Sequence, residues 1–150
     1  MKKAKILVVE DEGIMALALT RKLENFGYSA PVTVSTGEEA VQMTKKVDFD
    51  LILMDIILEG EMDGIEAATI IAEQSEVPVI YLTANSDLTT FRRAKATNPA
   101  GYILKPFDDE QLHSTINMSL CKSRMKKEMI LEDLGYSNRP VGDRAHLDFF

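Results

Sequence analysis

The chain has 150 residues, of which 45% are hydrophobic and 27% are charged, and its 17 basic and 24 acidic side chains give a formal net charge of −7. This composition is typical of an ordinary globular domain and excludes disordered, collagen-like and disulfide-stapled proteins. The negative charge also disfavours a protein that coats nucleic acid, because the phosphate backbone would be repelled.

Short apolar runs alternate along the chain with longer stretches of helical periodicity, which is the pattern of βα units around a buried parallel sheet. The five predicted strands cover residues 6–9, 30–34, 51–54, 77–82 and 102–104. Pro31 cannot donate a backbone hydrogen bond to a neighbouring strand, so we expect the second strand at an edge of the sheet.

Five helices are predicted between and after these strands. In the first, the apolar side chains from Met15 to Phe26 recur at helical spacing, and Gly27 provides a stop. The other four cover residues 36–46, 63–74, 86–98 and 108 to about 134. Because parallel connections are right-handed, these elements predict an α/β fold with a doubly wound parallel sheet and a C-terminal helical extension.

Two regions are expected, a βα domain over residues 1–120 and an extended helix and tail over residues 121–150. We interpret the second region as a linker or the start of a following region. An apolar stripe on the fifth helix is a candidate homodimer seam, formed by Met118, Cys121, Met125 and Met129. About 30 residues are too few for a winged helix or a comparable module, so no direct DNA binding by this chain is expected.

Acidic residues follow two of the predicted strands. Glu10 and Asp11 come directly after the first strand, and Asp55 ends the third. These strands are neighbours in a doubly wound sheet, so their carboxylates should meet at one edge. Two carboxylates about 5 Å apart at an effective dielectric near 20 repel by roughly 3 kcal/mol, which calls for a cation or a retained proton. Oxygen ligands without a thiolate favour Mg²⁺, with Mn²⁺ as the alternative.

Each acid alone would be interpreted as a solvated strand end or a helix cap. However, the fourth strand also leads to a hydroxyl at Thr83, and the fifth leads to Lys105 and Pro106. Reactive side chains at four neighbouring strand ends indicate a site.

Five sequence segments resemble the response-regulator receiver domains of two-component phosphorelays, over about residues 4–120. They are VVEDE at 8–12, LILMD at 51–55, MDG at 62–64, LTA at 82–84 and GYILKPF at 101–107. Each segment alone is weak, but their order on these strands is specific. The resemblance implies the flavodoxin-like strand order 2-1-3-4-5.

The resemblance implies that Asp55 is the phosphoacceptor and takes a phosphoryl group from a sensor histidine kinase or a phosphotransfer protein. The implied ligands of Mg²⁺ are the side chains of Glu10, Asp11 and Asp55 and the backbone carbonyl of Ile57. The implied contacts to the phosphoryl oxygens are Lys105, Thr83 and the backbone amides of Ile57 and Ala84.

Thr83 and Tyr102 occupy the positions of the family's switch residues. The resemblance implies that they transmit phosphorylation to the face formed by the fourth helix, the fifth strand and the fifth helix, where an output domain or a partner protein would bind. One hydrogen bond to a charged group contributes roughly 1.5 to 3 kcal/mol. A nearly complete shift of a two-state equilibrium needs about 5.5 kcal/mol, so Thr83 alone does not drive the switch. Tyr102 as an ordinary packed aromatic residue stays an open alternative.

Two features depart from the usual receiver pattern. Glu10 stands where aspartate is commoner, and its extra methylene would let it reach the metal directly. The loop DIILEGEMDG is one residue longer than usual and lacks the customary proline, so the Ile57 carbonyl is the least secure of the implied ligands. Ile57 and Asn85 flank the expected route of water toward a phosphoaspartate, and we expect them to tune its hydrolysis.

Two rival functions are disfavoured by particular residues of this chain. A phosphatase of the haloacid dehalogenase type needs a second acid two residues after its nucleophile, where this chain has Ile57, so an enzyme with turnover is not expected. A receiver-like interaction module that is not phosphorylated should lack Asp55 or Lys105, and both are present. His113 and His146 form no credible catalytic arrangement, and His113 is expected on the fifth helix as a surface or packing histidine.

The single cysteine indicates a reducing, cytoplasmic setting. No segment approaches the roughly 18 consecutive apolar residues of a membrane span, so no membrane association is expected.

Overall fold

The computed structural model describes residues 3–135. Within them, five parallel strands form one sheet in the order β2-β1-β3-β4-β5, which confirms the predicted doubly wound α/β fold. The elements in chain order are β1 (Ile6–Val9), α1 (Gly13–Asn25), β2 (Val32–Val34), α2 (Gly37–Lys46), β3 (Leu51–Asp55), α3 (Gly64–Gln74), β4 (Val79–Thr83), α4 (Leu88–Ala96), β5 (Gly101–Leu104) and α5 (Asp109–Asp133).

The central strands β1 and β3 are buried on both faces of the sheet, and their side chains are apolar except for Asp55 at the end of β3. Successive side chains of a strand point to opposite faces, so each strand contributes to two separate cores. One core gathers Leu7 and Ile52 with residues of α2 and α3, and the other gathers Ile6 and Leu51 with residues of α1 and α5. This double burial fixes the register of β1 against β3 and therefore the positions of the residues that follow them.

Two predicted strands begin later than expected, in both cases after a proline. The structure begins β2 at Val32 and β4 at Val79, whereas the sequence predicted starts at 30 and 77. Pro31 and Pro78 have no N–H to give to a neighbouring strand, so regular pairing starts beyond them. The edge position predicted for β2 is confirmed.

The fourth helix is shorter than the predicted range 86–98, because polar side chains take over the backbone at its start. The side chain of Asp87 accepts a hydrogen bond from the N–H of Thr89 as the N-cap, and Asn85 Oδ1 accepts one from the N–H of Asp87. Helix α4 therefore begins at Leu88. Thr36 and Asp63, predicted as first helical residues, are likewise the N-caps of α2 and α3.

The chain divides after Leu120 into two units, and the sheet lies in the first. Met118 and Met129, from the predicted seam, are 72% and 60% exposed. No helix within residues 3–135 is long and apolar enough to cross a membrane. The tail predicted over residues 136–150, with His146, lies outside the described residues.

Candidate functional site

Three carboxylates converge at the carboxyl edge of the sheet, as the sequence predicted. In the sheet, Val9 of β1 lies beside Met54 of β3, so Glu10 and Asp55 each lie one position further along their strands at the same edge. Glu10, Asp11 and Asp55 each offer a carboxylate oxygen, and these atoms lie within 4.8 Å of one another. Glu10 is only 4% exposed and Asp55 only 9%. Repulsion among them is therefore poorly screened by water.

Lys105 supplies the compensating cation. Its Nζ lies 3.0 Å from Glu10 Oε1 and 3.1 Å from Asp55 Oδ2. The backbone N–H of Lys105 donates to the carbonyl of Thr83 over 2.8 Å, which holds the lysine at the end of β5, and the Lys105–Pro106 peptide bond is cis. Burial acts to lower the pKa of the Lys105 ammonium, but the hydrogen bonds that the ammonium donates to Glu10 and Asp55, together with the negative charges of those two residues, outweigh it and raise that pKa above its ordinary value. Lys105 is therefore cationic at neutral pH.

One buried carboxylate oxygen of this cluster is available as a ligand for a cation other than Lys105. Glu10 Oε2 is buried and has no hydrogen-bond partner among the described residues. An unsatisfied buried acceptor of this kind costs about 1 to 3 kcal/mol, and more when it is charged. Glu10, Asp11 and Asp55 offer only hard oxygen donors, which suit Mg²⁺ or Mn²⁺. The residues present fit a divalent ion.

The loop after Asp55 folds back onto β3. The backbone N–H of Ile57 lies 3.3 Å from Asp55 Oδ1, and the N–H of Gly64 donates to the carbonyl of Ile56 over 2.8 Å. A Cβ on Gly64 would collide with the carbonyl oxygen of Asp55, so only glycine fits where α3 begins. The Ile57 side chain is 61% exposed. The acidic cluster is thus flanked by a backbone amide and an apolar side chain.

Thr83 and Tyr102 meet at a third residue, Asn85. Thr83 is fully buried at the end of β4, and its Oγ1 accepts a hydrogen bond from the N–H of Asn85 over 3.1 Å. The Tyr102 hydroxyl donates to the carbonyl of Asn85 over 3.2 Å. Ala84, which lies between Thr83 and Asn85, is exposed. Both predicted switch residues therefore bind the same loop between β4 and α4.

The ring of Tyr102 packs between two other aromatic rings. Phe91 of α4 lies edge-on at 5.1 Å between centroids, and Tyr81 of β4 lies at 6.4 Å. Tyr102 also lines a surface groove of about 290 Å³ beside α4 and β5, whose other lining residues are Ser86, Leu88, Phe91, Leu104 and Gln111. The groove lies on the face where the sequence predicted an output partner.

Some contacts around the site were not predicted. Glu38 Oε1 accepts a hydrogen bond from the N–H of Met62, and Arg93 of α4 forms an ion pair with Asp63 over 3.0 Å. The sequence gives no signal for either contact. It does contain the spacing of Asp63 and Glu66, which form a capping box at the start of α3. His113 stacks on the ring of Phe26 at 4.4 Å between centroids, which places it in packing contact.

This chain is similar in sequence to curated proteins and in fold to solved structures. The transcriptional regulatory protein YvrH of Bacillus subtilis (strain 168) is 35% identical over 128 residues, which cover 85% of this chain and 54% of YvrH. This chain spans about half the length of the curated relatives it matches.

Two solved structures are similar over most of this chain. The signal receiver domain of a modulated diguanylate cyclase from Desulfovibrio desulfuricans G20 is 37% identical, with a TM-score of 0.78 over 83% of this chain and 99% of that one. The receiver domain of the sensor histidine kinase PA1611 from Pseudomonas aeruginosa PAO1 is 29% identical, with a TM-score of 0.72 over 79% of this chain and 98% of that one. That second structure has a magnesium ion coordinated in its active-site cleft.

The family assignment follows from these similarities together with the fold and the strand-end residues. Receiver domains are signalling domains and not classical enzymes. Residues 6–117 match the model of the response regulator receiver domain, so this chain belongs to the response-regulator receiver family.

Proposed function

We propose that Asp55 accepts a phosphoryl group from a phosphohistidine on a sensor histidine kinase or a phosphotransfer protein, in a reaction that requires Mg²⁺ or Mn²⁺. The observation that carries the proposal is the position of Lys105, whose Nζ contacts both Asp55 and Glu10. A carboxylate that attacks a phosphoryl group meets like charge, so it needs fixed cations close by. Lys105 is one such cation, and the ion is the other.

The ion would be held by Glu10, Asp11, Asp55 and the backbone carbonyl of Ile57. When bound, it would neutralise charge on the phosphoryl oxygens and help to align donor and acceptor. Two observations support this part of the proposal: Glu10 Oε2 has no hydrogen-bond partner within residues 3–135, and a similar receiver domain binds magnesium.

The protein's own groups then act on the transferred group. A carboxylate oxygen of Asp55 attacks phosphorus as the bond from phosphorus to the histidine nitrogen breaks, and the histidine nitrogen keeps that electron pair. The Lys105 ammonium binds phosphoryl oxygens as a point charge. The Oγ1 of Thr83 accepts from Asn85, which leaves its O–H free to donate to another oxygen. The amides of Ile57 and Ala84 complete the set of donors. Apart from accepting and slowly losing this group, the domain would carry out no turnover.

Exposed apolar side chains near the site offer a surface for the phosphodonor protein. Ile14 is 85% exposed and Leu17 is 52% exposed, and they lie one turn apart on α1, which starts shortly after Asp11. Ile57, at 61% exposure, adds an apolar side chain on the loop after Asp55. Removing these apolar side chains from water is favourable, so they indicate a surface that binds a protein and not a small anion.

The signal would leave through the face formed by α4, β5 and α5. Thr83 and Tyr102 both bind Asn85, so a hydroxyl that turns toward a phosphoryl group alters the loop that leads into α4. The groove at Tyr102 would then change shape for an output domain or a partner protein. Residues 121–150 would serve as a linker, with homodimerisation through the Met118 stripe, and the protein would act in the cytoplasm. An interaction module that is never phosphorylated has no observation in its favour.

Magnesium and beryllofluoride test this proposal, because the fluoride complex occupies a phosphoaspartate site without a covalent donor. We expect amide NMR signals of Asp11, Ile57, Ala84 and Lys105 to shift when both reagents are added to the wild-type chain. Asp55→Asn, which keeps the side-chain volume, should lose the beryllofluoride response. An unchanged wild-type spectrum, or an identical response in Asp55→Asn, would contradict the proposal.

A further inference from the structure

The β3–α3 loop, residues 56–63, is fastened to the start of α2 by several contacts. Met62 donates its backbone N–H to Glu38 Oε1 over 3.0 Å, although the two residues are 24 positions apart. Glu59 pairs with Thr36, the N-cap of α2, in an isolated parallel bridge. Between these contacts the chain turns at Gly60, whose φ of +97° is in the region that favours glycine.

Glu38 is well suited to hold this loop. It lies in the first turn of α2, where the helix dipole stabilises a carboxylate. Its carboxylate also lies beside the turn, since a Cβ on Gly60 would come within 3.1 Å of Glu38 Oε2. The neighbouring Gly37 brings the helix close to the loop, because a Cβ there would lie 3.2 Å from Met62 Cγ. The far half of the loop is therefore held by the backbone and side chains of α2.

The near half of the loop is held by the strand that carries Asp55. Ile57 donates its N–H toward Asp55 Oδ1, and Gly64 donates its N–H to Ile56, as described above. The loop has no proline to limit its backbone freedom. Contacts must therefore restrain the loop, because each backbone residue left free in the unbound protein would lose conformational entropy when a ligand orders it.

We infer that Glu38 is a positioning residue for the Asp55 site. It holds the β3–α3 loop on α2 so that the backbone of Ile57 is ordered before the ion and the phosphoryl group arrive. This inference rests on the proposed function, and it adds to that function a residue that lies outside the acidic cluster and does not touch the reacting atoms.

The test compares Mg²⁺ binding to Glu38→Ala with binding to Glu61→Ala, measured by calorimetry. Glu61 is an exposed acid in the same loop, so its loss removes the same charge without removing the hydrogen bond to Met62. We expect Glu38→Ala to bind Mg²⁺ roughly three- to tenfold more weakly than Glu61→Ala, as the loss of part of one charge-assisted hydrogen bond would give. Hydrogen exchange at the Met62 amide should accelerate in Glu38→Ala and not in Glu61→Ala.

Two further variants separate positioning from general damage to the fold. Glu38→Gln keeps an acceptor oxygen and the side-chain volume, and it should bind Mg²⁺ within about twofold of Glu61→Ala. Gly60→Ala strains the same turn and should weaken binding in the same direction as Glu38→Ala. Thermal unfolding of each variant identifies any loss of the folded state.

Equal Mg²⁺ affinity of Glu38→Ala and Glu61→Ala, with normal wild-type binding, would overturn the role of Glu38 and leave the proposed function standing. Failure of Glu38→Gln to restore binding would also overturn it, because charge and not the hydrogen bond would then be responsible. If the wild-type chain itself bound neither Mg²⁺ nor beryllofluoride, the proposed function would fail and this inference with it.

Discussion

The hydroxyl of Tyr102 donates a hydrogen bond to the backbone carbonyl of Asn85 over 3.2 Å. The N–H of Asn85 is bound in turn by the buried hydroxyl of Thr83. Asn85 therefore joins the residue that would sense a phosphoryl group to the aromatic ring that lines the α4 groove. In the proposed switch, a change at Thr83 would reach this groove through these two hydrogen bonds and the loop between β4 and α4.

Thr83→Ala should separate binding from signalling. We expect the variant to bind Mg²⁺ and beryllofluoride, because Asp55 and Lys105 remain, but to show little shift of the α4 amide signals in NMR. The reason is that Asn85 loses its side-chain acceptor and the loop no longer follows the bound group. Thr83→Ser, which keeps the hydroxyl, is the control and should respond like the wild type. A full α4 shift in Thr83→Ala would refute the proposed route.

Replacement of Lys105 should affect Mg²⁺ and beryllofluoride in opposite directions. Without its ammonium the acidic cluster is more negative, so Lys105→Met should bind Mg²⁺ more tightly in calorimetry, yet lose the beryllofluoride response. Unfolding by urea without metal should show a loss of about 3 kcal/mol, because Glu10 and Asp55 are left buried without a cation. Lys95→Met, at an exposed position of α4, should change none of these quantities. Weaker Mg²⁺ binding by Lys105→Met would contradict this view of the site.

Gly64 and Gly13 should respond oppositely to alanine. A Cβ at position 64 would collide with the carbonyl oxygen of Asp55, so Gly64→Ala should lower the free energy of unfolding by about 4 kcal/mol or more. At position 13, the first residue of α1, a Cβ meets no atom within 4 Å, and alanine should raise stability by about 0.5 to 1 kcal/mol. Urea unfolding measures both changes in stability. Equal effects at the two positions would show that the close approach of α3 to β3 does not require glycine at position 64.

Tyr81 should make the protein less stable in alkali. Burial of its ring raises the pKa of the Tyr81 hydroxyl, partly opposed by the hydrogen bond with Thr97. Above a pH of about 10 the unfolded chain releases this proton before the folded chain does, so folding stability is intact below that pH and falls above it. Tyr81→Phe cannot ionise, and its stability should fall less between pH of about 8 and about 11. Near neutral pH, Tyr81→Phe should lower the free energy of unfolding by about 1 kcal/mol, because the hydrogen bond with Thr97 is lost. An unchanged slope with pH would contradict the assignment.

The sequence predicted the parts of the site that depend on local pattern and on strand topology. Apolar runs that end in Glu10, Asp55 and Thr83 place these residues at one edge of any doubly wound parallel sheet. The limits of the elements were less accurate, because Pro78 and Asp87 determine locally where pairing and helical turns begin. Where an apolar run contains a proline, the backbone hydrogen bonds show at which residue the strand begins.

Contacts between distant residues could not be predicted in the same way. Nothing in the sequence around Glu38 indicates a partner at Met62, and Arg93 of α4 reaches Asp63, the N-cap of α3, only in the folded domain. Lys105 binds only Oε1 of Glu10, and within the part of the chain that the structure describes Oε2 has no hydrogen-bond partner. Such features follow from packing of the whole domain, so only the three-dimensional structure contains them.

The central claim is that Asp55 becomes phosphorylated, and mass spectrometry of the chain after incubation with acetyl phosphate and Mg²⁺ tests it most directly. We predict that the wild-type protein gains the mass of one phosphoryl group, that borohydride trapping maps the modification to Asp55, and that a chelator or Asp55→Asn abolishes it. A wild-type chain that gains no mass, or a modification that persists in Asp55→Asn, would contradict the account.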